Sequence, residues 1–298
     1  MADVPEYRDM LKSLRGPTPL LAEALTVADM RRSARLSSLL DGPRLRGLEQ
    51  LYAYLDAAVK AYAEIPAIAG VAFLIQRVKS DYKTALEATL SGYQGVAADA
   101  MRDVMEIEYL LLDFAASEDQ SHAEEWLNAG DSLGNKYWPA TVRTRLKRSG
   151  VPPFANDGFE PIDYKAHSKA LHVNPGPSAV ASRGPDPLEE PVPFYSELGF
   201  IEMFEHGHRI LWAIELLRAV ALGVPDDYEP LMARDDFDDA YERTRRLQVM
   251  MVGFIEGPTM LRERLGREPT VAEILGHVRD ELAAMGGSID PSDGEESV

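Results

Sequence analysis

Apolar residues recur at three- and four-residue spacing along almost the whole chain, and strict apolar–polar alternation is nearly absent. That period lines one face of a helix, so the sequence predicts an all-α protein. Proline and glycine divide it into segments. Helices are expected over Pro5–Leu14, Pro19–Leu40, Leu45–Glu64, Ile68–Leu90, Tyr93–Ala116, Asp119–Asn128 and Asn135–Arg148. Further helices are expected over Tyr164–His172, Phe194–Leu222, Asp235–Ile255 and Thr270–Met285. Asp41-Gly42-Pro43 reads as a stop, because glycine can take the left-handed C-terminal conformation and proline cannot continue a helix. Ser91-Gly92 predicts a tight turn between two antiparallel helices.

The organisation that follows is an antiparallel helical bundle with additions at both ends. Residues 1–43 form N-terminal helices, and residues 44–222 form the bundle core, including a proline- and glycine-rich connection over 174–193. Residues 223–286 hold C-terminal helices expected to pack on the core, and 287–298 form a polar, acidic tail expected to be disordered.

Composition changes this picture little. The 298 residues are 45% apolar and 27% charged, which suits a folded domain with a substantial core. The chain has no cysteine, so disulfides, thiolate metal sites and a cysteine nucleophile are excluded, and a reducing compartment is suited. Its first residues lack the basic-then-apolar pattern of a signal peptide. No apolar run reaches the roughly 20 residues of a membrane span. The best stretch, Ile210 to Val224, is interrupted by Glu215 and Arg218. A cytoplasmic protein without membrane contact is therefore expected.

Charge matters more. A formal net charge of −18 repels a phosphate backbone, which disfavours DNA and general nucleic-acid binding. Two basic clusters, Arg31/Arg32/Arg35 and Arg143/Arg145/Lys147/Arg148, read as solvated helix faces. Leu265-Gly-Arg-Glu-Pro-Thr-Val-Ala-Glu-Ile274 resembles the start of a helix-turn-helix unit in bacterial sigma factors. Its physical content is a capping box, Thr270 with Glu273 three residues on, which explains the string without DNA.

Candidate chemistry sits on three helices. Along Tyr93–Ala116, steps of about 100° put Asp99, Arg102, Asp103, Glu106 and Asp113 on one side and an apolar arc on the other. Glu108 falls inside that arc and needs a partner, with Arg77, Lys79 or a histidine as candidates. Arg102 and Glu106 are spaced for an i,i+4 ion pair. On Tyr164–His172, the residues Tyr164, His167, Ser168 and His172 share one face, either as a site or as a satisfied interior cluster. On the helix from Phe194, Glu205-His-Gly-His208 has the E-x-x-H spacing of di-iron bundles, so Glu202, Glu205 and His208 form an alternative metal site. A second E-x-x-H is missing, and Glu202–His206 and Glu205–Arg209 also read as i,i+4 pairs on a polar face. Gly-x-Gly-x-x-Gly, Walker, Gly-x-Ser-x-Gly and H-E-x-x-H motifs are absent, so common nucleotide, hydrolase and zinc-protease folds are not indicated.

The order of an R-x-x-x-E core (Arg102, Glu106) followed by Tyr109-Leu-Leu, a Trp126 helix, a basic helix Arg143 to Arg148 and Y-x-x-x-S-x-x-x-H (Tyr164, Ser168, His172) resembles the DUF5677-type, HEPN-related helical proteins of bacteria. The resemblance covers about residues 65–222. It implies an antiparallel bundle, a homodimer, and a place in stress or phage defence through RNA or protein contacts. It maps a site onto Arg102, Glu106, Tyr164, Ser168 and His172 and names no cofactor. Many HEPN proteins are ribonucleases with an arginine followed at short spacing by a histidine on one helix. This chain has no such pair, which sets it apart from the nuclease pattern.

Overall fold

The computed structural model describes residues 19–38, 40, 42–117, 121–129, 134–151, 154, 194–224, 229–255 and 257–284. The expected helices Pro5–Leu14 and Tyr164–His172, the connection 174–193 and the tail 287–298 lie outside these residues. Among the described residues the chain is helical, without strands. The elements are α1 (Pro19–Ser38), α2 (Gly42–Glu64), a 3₁₀ turn (Ala69–Val71), α3 (Ala72–Ser91), α4 (Gln94–Ala116), α5 (Ser121–Ala129) and a second 3₁₀ turn (Gly134–Tyr137). Then come α6 (Pro139–Arg148), α7 (Phe194–Leu222), α8 (Asp235–Ile255), α9 (Gly257–Leu265) and α10 (Val271–Ala284).

The bundle is built around α4, whose apolar arc of Val104, Met105, Ile107, Leu111, Leu112 and Phe114 is buried. It packs most extensively against α7 and α3, while α2 and α1 pack on α3. Gly92 ends α3 in the left-handed region at φ 84°, and its N–H donates to the carbonyls of Ala88 and Thr89. The two-residue turn makes α3 and α4 antiparallel, as expected. Tyr82 of α3 donates its hydroxyl to the Met203 carbonyl at 3.0 Å, and Tyr62 of α2 donates to the Ile214 carbonyl at 2.7 Å. Arg44 of α2 pairs with Glu197 of α7 and stacks over the Phe200 ring at 4.9 Å. These contacts fix the directions: α2, α4 and α7 run one way and α3 the other. Parallel α4 and α7 are possible because a long connection separates them.

Three boundaries differ from the periodic reading. Gly42 and Pro43 begin α2 instead of closing α1, a first-turn position where a missing N–H costs nothing. Pro139 splits the expected Asn135–Arg148 helix, because proline pushes Trp138 to an extended backbone (φ −63°, ψ 141°). A helix, α9, starts at Gly257-Pro258, where none was expected. Glycine also sets one close approach: a Cβ at Gly207 of α7 would lie 2.7 Å from Phe237 Cζ.

The chain divides into two units, Met1–Asp238 and Asp239–Val298, and the division falls inside α8. In the second unit α9 packs against α10. The capping box forms as expected: Thr270 N–H donates to Glu273 Oε2 at 2.8 Å, and Glu273 N–H donates to Thr270 Oγ1 at 3.3 Å. Arg267 grips the same carboxylate and, with the Thr270 hydrogen bonds, lowers the Glu273 carboxyl to about 2. Thr270→Ala is expected to lower amide protection in the first turn of α10 about fivefold, the equivalent of about 1 kcal/mol. Unchanged exchange there would show that Arg267 and Glu273 hold the turn by themselves.

Candidate functional site

Helical spacing builds a cleft on the α3–α4 hairpin. Arg77, Asp81 and Thr84 recur at i, i+4 and i+7 on α3, and Asp99, Arg102, Asp103 and Glu106 recur at i, i+3, i+4 and i+7 on α4. The antiparallel pairing sets these stripes face to face across the seam. Asp81, Thr84, Val96, Asp99, Arg102 and Glu106 are among the residues lining a cavity of about 350 Å³. An adjoining furrow of about 520 Å³ shares Thr84 and Val96 and continues over Ala88 and Tyr93, with Lys83 and Glu87 on its edge.

The charges in the cleft are ordered by one fork and one single ion pair. Arg77 donates from Nε to Asp103 Oδ2 at 2.5 Å and from Nη2 to Asp103 Oδ1 at 2.8 Å. Arg102 Nε donates to Glu106 Oε1 at 2.8 Å, the expected i,i+4 pair, with side chains 13% and 32% exposed. Asp81 has a different environment. Burial, then a hydrogen bond with Asp103 and its charge, raise the Asp81 carboxyl to about 7, against the opposing pull of Arg77. Asp81 Oδ2 is buried and has no hydrogen-bond partner.

Several other polar residues of the bundle are tied to one another inside it. Glu108, fully buried, accepts from Arg209 Nε at 3.1 Å and lies 3.1 Å from Arg209 Nη2. It does have the partner its position demands, and among the described residues that partner is Arg209 of α7 and neither Arg77 nor Lys79. Arg77 is held by Asp103, and Lys79 pairs with Asp56 of α2. Asp113, expected on the polar side of α4, is buried because α6 covers it: Arg145 forks onto both its oxygens at 2.8 and 2.7 Å, and His122 Nδ1 lies 3.2 Å away. Arg145 also lies 5.2 Å over the Tyr137 ring. Arg145 is thus not part of a solvated basic face, and neither is Arg31, which is buried. Arg32 and Arg35 bind Glu87 and the Thr89 carbonyl.

On α7, Glu202 lies 3.4 Å from His206, which is buried, as is Arg209. His206 and Arg209 are thus interior, whereas the Glu202 side chain is 36% exposed, and Arg209 reaches Glu108. Glu202, Glu205 and His208 all lie on α7, and among the described residues no three histidine or carboxylate side chains gather to hold a metal ion. Tyr164, Ser168 and His172 lie outside the described residues. Of the site implied by the resemblance, the described residues therefore place Arg102 and Glu106, both on the cleft wall. Asp81 and Thr84 were not singled out from the sequence. Their i,i+4,i+7 spacing with Arg77 is legible, but nothing local says that this stripe faces α4. Comparison of the chain with protein-family models, with curated proteins and with solved structures finds no match in any of the three.

Proposed function

We propose that the protein is a binding module whose working surface is the α3–α4 cleft, and that its partner is a basic segment of another protein. The observation that carries this reading is the lining: four carboxylates, Asp81, Asp99, Asp103 and Glu106, around one arginine, opening onto an apolar furrow. An extended segment with lysine or arginine beside apolar residues matches both halves. Electrostatic complementarity of this kind selects the partner and speeds encounter, and the net charge of −18 adds long-range attraction for a basic protein. RNA, the other partner implied by the HEPN-related resemblance, meets the wrong sign of charge in the cleft. A stress- or phage-defence role exercised through protein contacts fits this reading.

The test is titration of the full chain with an octa-arginine peptide and with single-stranded RNA. Saturable peptide binding, weakened about tenfold or more by the pair Asp99→Asn and Glu106→Gln, is the expected result. Peptide binding that ignores both substitutions, or RNA binding that survives moderate salt, would remove the proposal.

A further inference from the structure

We propose that Asp81 keeps a proton at the α3–α4 seam, and that release of this proton arms the cleft for its basic partner. The inference rests on the binding role proposed above for the same cleft. Its basis is how the local cations are used. Arg77 spans both oxygens of Asp103, and Arg102 is turned to Glu106. Among the described residues, the carboxylates Asp99, Asp103 and Glu106 of α4 line the same cavity as Asp81. On the neighbouring helices, Lys79 of α3 holds Asp56 of α2, and Arg32 of α1 holds Glu87. Asp81 thus lines an acidic cavity with one oxygen buried and without a hydrogen-bond partner. A partly buried carboxyl among three others ionises at a cost, and Asp81 retains its proton.

The proton keeps Asp81 neutral and able to donate toward Asp103. Its loss, as pH rises through about 7, adds one negative charge to the lining. A guanidinium or ammonium entering the cleft replaces the proton, which passes to solvent. Binding therefore releases a proton and tightens as pH rises. The direction for stability is the opposite. A carboxyl raised in the folded state binds a proton that the unfolded chain has lost between the ordinary carboxyl range and about 7. Its contribution is full below the ordinary range and is lost as pH rises through that window.

The experiment has two arms on the full chain. Carboxyl ¹³C NMR, with the Asp81 signal assigned by Asp81→Asn, is expected to show a midpoint near neutrality. A midpoint near 4, the ordinary value, overturns the retained proton. Octa-arginine titration between about pH 6 and 8 is expected to tighten by up to about tenfold per pH unit in the native protein, the limit for one released proton. In Asp81→Asn, which keeps a donor toward Asp103 but cannot ionise, it is expected to be flat. A near-neutral Asp81 in a protein that does not bind the peptide overturns the gating together with the binding role. Peptide binding that is equally strong across the range leaves the binding role standing and overturns the gating alone.

Discussion

Arg209→Met is expected to destabilise the protein by about 3–5 kcal/mol, the cost of removing one partner from a buried ion pair. The guanidinium is 9% exposed and the Glu108 side chain fully buried, so water cannot replace the lost charge at the carboxylate. Around it lies the apolar arc of α4 and the Tyr82 ring of α3, whose hydroxyl burial raises well above its ordinary range. The double variant Glu108→Met/Arg209→Met is expected to recover most of the loss, because two apolar side chains of similar volume remove both charges from the interior. Urea unfolding of the native protein, both single variants and the double variant closes the cycle. Arg209→Met within about 1 kcal/mol of the native protein would mean that α4 and α7 are held by packing alone. Arg102→Ala is the contrast: the pair it removes is one turn long and its Glu106 partner is 32% exposed, so its effect is expected to be smaller than that of Arg209→Met.

The difference between these two pairs also explains what the sequence makes legible. Arg102 and Glu106 are one turn apart, so their pairing follows from helical geometry. The partner of Glu108 lies 101 residues away on α7, and periodicity shows only that a partner is needed. Asp113 fails in the opposite sense. Its angular position on α4 is polar, but α6 covers that side and supplies Arg145. The long helices Phe194–Leu222 and Asp235–Ile255 form with the expected ends, because each carries many turns of one pattern between clear breaks. Errors concentrate at Gly-Pro and X-Pro sequences, where the same proline can close one helix or open the next. The cleft stayed hidden because each of its walls is an ordinary amphipathic stripe, and only their register across the Gly92 turn makes a cavity.

Glu215→Ala is expected to cost about 2–4 kcal/mol and to loosen the chain after α7 before the bundle itself. The same glutamate breaks the apolar run Ile210 to Val224 in the sequence, and its surroundings account for the break. The carboxylate is buried and accepts from the Tyr54 hydroxyl of α2, from the Leu231 N–H at 2.7 Å and from Arg218 Nε at 2.8 Å. Arg218 also donates to the Glu229 carbonyl. One side chain thus joins α2, α7 and the segment leading into α8. Truncation leaves a buried phenol and a backbone N–H without an acceptor, at about 1–3 kcal/mol each when solvent cannot reach them, less whatever the segment regains by opening to water. Glu215→Gln keeps an acceptor near Tyr54 and Leu231, so its cost is expected to be the smaller of the two. The deciding measurement is hydrogen exchange at the Leu231 amide. If the segment is held by Glu215, its protection falls in Glu215→Ala at denaturant concentrations where Tyr62 and Tyr82 remain buried. If exchange at Leu231 follows global unfolding in both variants, the segment is held by its own contacts with the bundle, and Glu215 serves only the α2–α7 contact through Tyr54.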